Sequence, residues 1–449
     1  MTRDFLPWLA DLLPLLLPAL AVALAGVSGA GAENEHPPAG PPASTPTPAA
    51  VDRVAKIQAA LKEAGLDGWL FFDFRGSNPI ASRVLLLPEG QMATRRWFYF
   101  VPAAGDPVKI LHAIETRQLD TLPGTARVYG RWEELFYQLK ETLKGRKQVA
   151  MEYSPEGAIP YISRVDAGTV EMVRRAGPLV VTSADLVQRF EAVWTPRQRE
   201  QHDRAAVALR TLVDEAWMIV ARRTAASAVF DERSLQQHLS DRMREMGLEF
   251  DHPPIIAVGA NAALPHYDVP ETGSAPIRPG DLLLIDIWAK VREEGAVYAD
   301  ITWMGQVSET VDERYARVFK IVAQARDAAF EFIKASAAPG RLPQGWQVDD
   351  ACRGVIFTAG FGPNYIHRTG HSIGVEVHGD GANLDNYETR DDRRLLSGTC
   401  FSIEPGIYLP GEFGIRSEID VCLDGNKPVV TGGPAQAAIV PILAGRVQH

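Results

Sequence analysis

Apolar residues in the first half of the chain recur with a helical and then with a strand-like period. The helical spacing ends at Gly65 and is carried by Val51, Val54, Ile57 and Leu61. Four apolar runs that follow each predict a strand: 69–74, 97–101, 108–111 and 149–153. The second and third runs flank a Gly-Asp-Pro turn and predict a hairpin. Because strands and helices alternate, we expect a small α/β domain with its own sheet.

The second half of the chain begins with a long predicted helix. Pro196 fits its first turn, because that turn does not need the N–H that proline lacks. One side of the helix is apolar and carries Leu209, Leu212, Val213, Ala216, Ile219 and Val220. Another long helix is predicted for residues 311–334, among strands and many Gly and Pro turns. We predict two domains, residues 51–191 and 192–449.

Two strands of the second half carry carboxylates. Residues 280–286 are mostly apolar and end in Asp286, and Asp300 follows fourteen positions later in a second strand. Residues 290–295 between them predict a hairpin connection, which would bring the two carboxylates side by side. Close carboxylates repel, and each resists ionisation unless a cation lies between them. Their oxygens suit divalent metal ions.

Three further segments place an imidazole or a carboxylate in apolar surroundings. Residues 367–378 hold three of the ten histidines, and two internal glycines favour a turn entering a strand over a helix. Glu404 and Glu418 lie within or at the end of apolar strands, where a carboxylate without a partner is costly. Arg416 is two residues from Glu418, so both would face the same side of one strand. Each residue alone would be a cap or a surface group, but their order predicts a metal centre.

Composition narrows the possible classes of function. The 449 residues suit two domains, and 46% hydrophobic with 23% charged residues is typical of a globular protein. A net charge of −10 argues against nucleic acid as a partner. Cys352, Cys400 and Cys422 have no metal-binding spacing and are predicted to be small buried side chains. A Cys352–Cys400 or Cys400–Cys422 disulfide stays open if the protein is exported.

The N-terminus has the features of an export signal. Arg3 precedes an apolar run at 12–25, and Ala-Gly-Ala at 30–32 is a small-x-small cleavage site. The run is too short and too broken by proline to favour a spanning helix, although two aspartates weaken the positive start. We expect residues 1–32 to be a signal peptide and 33–50 a Pro-rich linker. The protein would then be periplasmic or secreted, and otherwise cytoplasmic.

The C-terminal half resembles the pita-bread (M24) metallopeptidases, which include methionine aminopeptidase, aminopeptidase P and prolidase. The matching phrases are LLLID at 282–286, ADIT at 299–302, HRTGHSIG at 367–374, SIEPGIY at 402–408 and IRSEI at 415–419. NAALPHY at 261–267 and the separate domain ahead favour the aminopeptidase P and prolidase branch. The resemblance implies an α+β two-domain fold. A creatinase/prolidase-like α/β domain would precede a pita-bread catalytic domain with a curved antiparallel sheet.

The same resemblance implies a site with two divalent metal ions, manganese before cobalt, zinc or iron. Asp286 would bind one ion, Asp300 and Glu418 would bridge both, and His371 and Glu404 would complete the second. A hydroxide that bridges the ions would attack the carbonyl of an Xaa-Pro peptide bond. Glu404 would also act as general base.

Further catalytic residues are implied by the same resemblance. His266 and His378 would position the substrate carbonyl and stabilise the tetrahedral species. Tyr408 and Arg416 would orient Asp286. The chain departs from relatives in the longer spacing between its two aspartates, which a lengthened hairpin tip would absorb. It also has Trp288 where glycine is common, which puts substrate fit in question.

The expected partners are small peptides with proline at the second position and a second copy of the chain in a homodimer. We expect no nucleic acid partner and no membrane-spanning segment in the mature form. Dipeptidase and aminopeptidase specificity stay open. A dipeptidase needs a cation for the free carboxylate, and Arg390, Arg393 and Arg394 are candidates. The alternatives are a metal-free creatinase-like hydrolase, a non-catalytic binding protein on the same fold, and a methionine aminopeptidase.

Overall fold

A computed structural model describes residues 45–88, 90, 93–226, 230–336 and 341–444. The predicted signal peptide, residues 1–32, and most of the predicted linker lie outside the described residues. Among the described helices, none has both the length and the apolar character that crossing a bilayer requires.

The described ranges contain α-helices and short strands in an order that changes near residue 190. The helices are α1 (Pro48–Ala64), α2 (Pro79–Val84), α3 (Trp132–Leu143), α4 (Ala167–Ala176), α5 (Ala184–Val187), α6 (Pro196–Ala225), α7 (Glu232–Glu245), α8 (Glu313–Ser336) and α9 (Gly345–Thr358). The strands before α6 are β1 (Gly68–Asp73), β2 (Trp97–Pro102), β3 (Val108–His112), β4 (Thr125–Tyr129), β5 (Gln148–Met151) and β6 (Leu179–Thr182). Those after it are β7 (Leu248–Glu249), β8 (Ile255–Val258), β9 (Leu282–Val291), β10 (Ala299–Gln306), β11 (Ser372–Ile373), β12 (Cys400–Ile403), β13 (Gly406–Leu409), β14 (Phe413–Arg416), β15 (Ile419–Asp424), β16 (Lys427–Val430) and β17 (Val440–Pro441).

The first six strands form one sheet in the order β4-β3-β2-β1-β5-β6. The β2–β3 hairpin is antiparallel, as the Gly-Asp-Pro turn predicts. Side chains alternate along β1: Trp69 and Phe71 pack on the α1 side, while Leu70 and Phe72 pack on the α3 and α4 side. Both faces of the sheet are therefore covered, which explains why its central strands are apolar throughout. The strands predicted from the sequence are confirmed to within two residues.

Helix α1 begins at Pro48, inside the predicted linker (33–50), and not at Val51. The Thr47 hydroxyl accepts the N–H of Ala50 at 3.2 Å and caps the helix. Proline in the first turn removes no helical hydrogen bond, so a helix can begin within the proline-rich stretch. The predicted end of the linker at residue 50 is therefore wrong.

The second half is organised around the β9–β10 hairpin. Its strands belong to a sheet with β7, β8 and β17, beside the sheets β11-β12-β15-β16 and β13-β14. Leu283 and Ile285 of β9 pack against α6 and α7, whereas Leu282 and Leu284 pack on the side of α8 and α9. By this alternation Asp286 faces the same side as α8 and α9. That side of the hairpin positions the candidate site.

The predicted boundary at 191/192 falls in the π-helical turn Gln188–Ala192 ahead of α6. The described residues belong to one compact unit, so this boundary stays a prediction. Helix α6 begins at Pro196 as expected, and α8 begins and ends two residues after its predicted bounds.

Candidate metal centre

The β9–β10 hairpin places both aspartates on one face. Asp286 lies opposite Thr302 and Asp300 lies opposite Trp288, so the two carboxylates are diagonal neighbours. The strands are joined by residues 292–298, so the extra length lies at the hairpin tip, as expected. The predicted connection at 290–295 was wrong by two residues at its start, since β9 extends to Val291.

His371 and Glu404 are brought together by the short β11–β12 pairing. The N–H of His371 donates to the Ser402 hydroxyl at 3.0 Å, and Ser402 N–H donates to the His371 carbonyl at 2.9 Å. A Cβ at Gly370 would lie 1.9 Å from the Ser402 carbonyl oxygen, so only glycine permits this approach. Segment 367–378 forms a turn that enters a strand, as predicted.

Arg416 and Glu418 do not share one strand, contrary to the sequence-based expectation. Strand β14 ends at Arg416 and pairs with β13, whereas β15 starts at Ile419 and pairs with β12. Both side chains nevertheless reach Thr302: Arg416 Nε donates to its hydroxyl at 2.9 Å, and Glu418 Oε2 lies 2.7 Å from it. The chain changes sheets between the two residues while their side chains converge.

The five predicted ligands lie together. Ligand atoms of Asp300, His371 and Glu418 are all within 4.8 Å of one another. His371 Nε2 is 3.7 Å from Asp300 Oδ2 and 3.4 Å from Glu404 Oε1. Asp286 joins the group through Thr302, whose hydroxyl is 3.1 Å from Asp286 Oδ1 and 2.7 Å from Glu418 Oε2.

The tautomer of His371 suits a metal ligand. Its Nδ1 faces the carbonyl of Ser372 at 3.2 Å, and a carbonyl can only accept, so Nδ1 carries the proton. Burial, then the charges of His378 and Arg368, lower the pKa of His371 well below its ordinary value. The lone pair on Nε2 therefore points at the oxygens of Asp300 and Glu404. A cation between them would turn this repulsion into coordination.

The carboxylates also lack the counter-charge they need. Burial, then the charges of Glu418 and Asp286, raise the pKa of Asp300 well above its ordinary value. Burial and the charge of Glu404 do the same to the pKa of Glu418, and burial raises the pKa of Glu404 to about 7. Asp300 Oδ1 is buried without a hydrogen-bond partner among the described residues. These observations fit two divalent cations among the four carboxylates.

Asp286 is held by Arg416 and Thr302. The Arg416 guanidinium donates to Asp286 Oδ2, and both residues are buried. The Tyr408 hydroxyl instead lies 2.7 Å from His367 Nε2. Because His367 Nδ1 donates to the Arg368 carbonyl at 2.7 Å, its Nε2 accepts from Tyr408. The expected role of Tyr408 in orienting Asp286 stays a prediction. Burial raises the pKa of the Tyr408 hydroxyl, and the nearby charge of Arg416 opposes this effect.

His378 and His266 lie at the solvent side of the centre. The His378 ring is 4.3 Å from the His371 ring, edge to face, and both His378 and His266 are solvent-accessible. Desolvation of the protein-facing side of His378, then the charges of Arg368 and His266, lower its pKa to about 4. His266 is close enough for its charge to act on Asp286 as well.

The segment that carries His378 is tied to the N-terminal sheet region by Arg83 of α2. Its guanidinium pairs with Glu376 at 3.1 Å and with Asp380 at 2.5 Å, the residues two before and two after His378. A third pair joins Arg83 to Glu191 at 2.5 Å. Three carboxylates on two separate segments therefore share the positive charge of the Arg83 guanidinium.

Thr302 and Asp420 belong to the site although the sequence reasoning assigned them no role. Thr302 is fully buried between three charged side chains, and Asp420 Oδ2 accepts the N–H of Asp300 at 2.8 Å. Both lie two positions from a predicted ligand, Thr302 from Asp300 and Asp420 from Glu418. The period of two in a strand was the available signal for Thr302.

The arginines proposed as carboxylate anchors are engaged elsewhere. Arg393 is buried and pairs with Asp391 at 2.6 Å. Arg394 donates to the Leu342 carbonyl at 3.1 Å, and the Arg390 guanidinium lies 4.5 Å from the Trp346 ring centroid.

Trp288 lies on the face of β9 that carries Asp286, where the sequence put substrate fit in question. Its indole N–H donates to Asp251 at 2.7 Å. The ring is therefore fixed beside the carboxylates.

Two of the three cysteines form a disulfide, so the prediction of three small buried side chains is wrong for this pair, and Cys400–Cys422 is the one of the two open pairings that the structure contains. Cys400 of β12 and Cys422 of β15 are directly opposite in the antiparallel ladder, with Cα atoms 4.1 Å apart. Cys352 is free and buried, as expected. The disulfide joins the strands that adjoin Glu404 and Glu418.

Comparison with known proteins adds independent information. Residues 198–424 match the metallopeptidase family M24. A probable dipeptidase PepE of Mycobacterium tuberculosis (strain ATCC 25618 / H37Rv) is 26% identical over 398 residues, which is 87% of this chain and 96% of that protein. A Xaa-Pro dipeptidase of Lactobacillus delbrueckii subsp. lactis is 33% identical over 176 residues, 39% of this chain and 43% of that protein.

Solved structures share the fold. Dipeptidase PepE from Mycobacterium ulcerans aligns with a TM-score of 0.65 at 23% identity and covers 87% of this chain and 98% of its own. A dipeptidase from Pyrococcus horikoshii OT3 aligns with a TM-score of 0.58 at 25% identity, over 86% and 99% of the chains. These likenesses confirm the predicted α+β pita-bread architecture.

Proposed function

Because this chain belongs to metallopeptidase family M24, we propose that it hydrolyses Xaa-Pro peptide bonds with the help of two divalent metal ions. Family membership makes the chain a metal-dependent hydrolase. The proline specificity is supported by relatives named Xaa-Pro dipeptidase. The observation that carries the metal site is the convergence of Asp286, Asp300, His371, Glu404 and Glu418.

In this proposal the ligands divide between the two ions. Asp286 would hold one ion, His371 and Glu404 would hold the other, and Asp300 and Glu418 would serve both. When bound, the ions lower the pKa of a water molecule and polarise the substrate carbonyl. The carboxylate-rich donor set favours manganese, with cobalt, zinc or iron as substitutes.

In this proposal Glu404 transfers the proton. Its side chain is 14% exposed, so part of the carboxylate stays accessible to solvent. The Ser402 hydroxyl lies 3.1 Å from its Oε1, and the Glu404 N–H donates to the Thr369 carbonyl at 2.8 Å, which fixes the residue. Glu404 can take a proton from the attacking water and give it to the departing nitrogen.

His378 and His266 would bind the substrate carbonyl. The low pKa of His378 keeps its imidazole neutral near pH 7, so that it offers an N–H without introducing a charge. Such a donor stabilises the negative charge that develops on the carbonyl oxygen. A bond before proline is a tertiary amide without an N–H. If His378 and His266 bind the carbonyl and nitrogen of the scissile bond, the substrate does not need to donate a peptide N–H.

The test is a hydrolysis panel on protein that has been stripped of metal and reconstituted. We expect Xaa-Pro peptides to be cleaved, a chelator to stop cleavage, and Mn²⁺ to restore it. Faster cleavage of Met-Ala peptides would point to a methionine aminopeptidase instead. Less than about half a metal ion per chain, together with chelator-insensitive behaviour, would favour the creatinase-like or binding-protein alternative.

We also propose export from the cytoplasm, because a disulfide between Cys400 and Cys422 suits an oxidising compartment. Fractionation of the native host cells, with detection of the mature chain in the periplasm or medium, tests this location. Recovery of the whole protein in the cytoplasm would contradict it.

A further inference from the structure

Arg368 differs from the other deeply buried arginines. Four arginines of the described residues expose 6% or less of their surface. Three of them form ion pairs: Arg326 with Asp327, Arg393 with Asp391, and Arg416 with Asp286. Arg368 has no carboxylate partner for its guanidinium among the described residues. Its guanidinium contacts the Tyr161 hydroxyl, and Glu388 accepts only its main-chain N–H, at 3.0 Å.

A buried guanidinium without a counter-ion is costly. Arginine stays protonated in proteins, so the charge cannot be removed by titration. Burial of a charge is tolerated when an opposite charge and hydrogen bonds satisfy it. The Tyr161 hydroxyl satisfies part of the guanidinium, and the remaining N–H groups are suited to a carboxylate.

Arg368 lies beside the candidate centre. It directly follows His367 and precedes His371 by three residues. Its charge acts on the pKa values of His371 and His378, which lie on the same segment as Arg368, and on that of Glu404, which follows β12. The guanidinium is therefore close to the space between the metal ligands and the solvent-side histidines.

Resting on the function proposed above, we propose that Arg368 binds the C-terminal carboxylate of the substrate, which makes the chain an Xaa-Pro dipeptidase and not an aminopeptidase. A free carboxylate directly after the proline supplies the missing counter-ion. A longer peptide carries a neutral amide at that place and leaves the guanidinium unpaired. The specificity follows from this difference.

Tyr161 is a positioning residue for this contact. It belongs to the 3₁₀ turn Pro160–Ile162 of the N-terminal sheet region, and its ring centroid lies 5.2 Å from the Arg368 guanidinium carbon. The ring and the hydroxyl together restrict the orientation of the planar fork. The N-terminal region therefore takes part in substrate selection without contributing a metal ligand.

The experiment compares Ala-Pro, Ala-Pro amide and Ala-Pro-Gly as substrates of wild type, Arg368→Gln and Arg368→Lys. Wild type is expected to prefer Ala-Pro. Arg368→Gln should lower kcat/KM for Ala-Pro by about 10- to 100-fold, mainly through KM, because a charge-assisted contact is lost. Its kcat/KM for the amide should stay within about two-fold, and Arg368→Lys should be intermediate for Ala-Pro.

A binding measurement gives a readout apart from turnover. Free proline should inhibit wild type more strongly than prolinamide, and Arg368→Gln should remove that difference. Metal content and the melting temperature of each variant must match wild type. Arg117→Gln, at an exposed site in the N-terminal region, is the control and should change neither substrate preference nor inhibition.

The outcomes separate the two proposals. If wild type cleaves no Xaa-Pro substrate, the proposed function fails and this inference fails with it. If wild type cleaves Ala-Pro but Arg368→Gln loses activity on dipeptide and amide equally, or on neither, only the role of Arg368 is overturned. A wild type that prefers Ala-Pro-Gly overturns the dipeptidase assignment alone.

Discussion

Thr302 connects three charged side chains through a single hydroxyl. It accepts from Arg416 Nε and has one proton to share between Asp286 and Glu418. Because it is fully buried, water cannot replace it. The orientation of two predicted metal ligands, Asp286 and Glu418, thus depends on a residue that is not itself a predicted ligand.

Replacement of Thr302 by valine keeps the shape and removes the hydroxyl. We expect metal affinity to fall by roughly 10- to 100-fold, because both carboxylates lose their shared orientation. Titration of metal-free protein with Mn²⁺ measures this. Thr211→Val, on the exposed side of α6, is the matched control. Unchanged affinity in Thr302→Val would mean that Arg416 alone positions Asp286.

Asp300 and His378 are expected to behave differently on substitution. Asp300→Ala should abolish metal binding and hydrolysis together, because in the proposed site this carboxylate would serve both ions. His378→Ala should keep its metal and slow turnover by about 10²-fold or more. Metal analysis alongside kinetics distinguishes the two variants. Near wild-type turnover in Asp300→Ala, or loss of metal in His378→Ala, would overturn the assignment.

The convergence of the five predicted ligands could be anticipated from the sequence, because each stands in its own phrase and the order of the phrases is distinctive. The positions of Thr302 and Arg368 could not be anticipated, since neither a threonine in a strand nor an arginine between two histidines is unusual. Their importance depends on which side chains surround them after folding. Arg393 was one of three open candidates for binding the substrate carboxylate, and the sequence did not reveal that Asp391 already pairs with it.

Among the elements, β12 and β15 connect the disulfide to the site. Cys400 and Cys422 join these strands directly opposite each other, close to Glu404 and Glu418. Hydrophobic periodicity identifies such strands but not their pairing. The sequence therefore left two cysteine pairings open, and register decided between them. The separation of Arg416 from Glu418 into two sheets was hidden in the same way, since no strand-breaking residue stands between them.

Removal of the disulfide by the double substitution Cys400→Ala and Cys422→Ala should lower the free energy of unfolding by about 2–4 kcal/mol. Urea unfolding with and without a reducing agent measures it. The reducing agent should destabilise wild type and leave the double variant unchanged, which is the internal control. Equal sensitivity of both proteins would place the effect outside this bond.

At the scale of the whole molecule, His202 couples stability to pH. Its Nδ1 lies 2.7 Å from the Tyr298 carbonyl and its Nε2 2.7 Å from the Thr431 hydroxyl, so α6 is fastened to two distant segments. Burial lowers the pKa of His202 from 6.5 to about 4. His202 is therefore protonated near pH 6.5 in the unfolded chain, but only near pH 4 in the folded chain.

The stability that His202 contributes is complete above pH 6.5 and is lost as the pH falls towards 4. From this group alone the free energy of unfolding should fall by about 3 kcal/mol across that window. We expect His202→Asn, whose amide can still donate to the Tyr298 carbonyl, to remove this part of the pH dependence. Urea titrations at pH 7.5 and 4.5 provide the test. An identical slope in both proteins would contradict it.

The overall architecture followed from alternating strands and helices and from the motif phrases. The start of α1 at Pro48 did not, because composition cannot distinguish a proline in a linker from one in a first helical turn. A homodimer stays a prediction, as does the division of the described chain at residue 192.

The three ion pairs of Arg83 matter for the design of a truncated protein. The family match begins at residue 198, and a truncation designed to start there would lack Arg83. Such a product would leave Glu376 and Asp380 with no guanidinium between them. Two like charges would then repel each other on either side of His378, for which we propose a catalytic role. A truncated protein would keep the predicted metal ligands but would need a new positively charged side chain near Glu376 and Asp380.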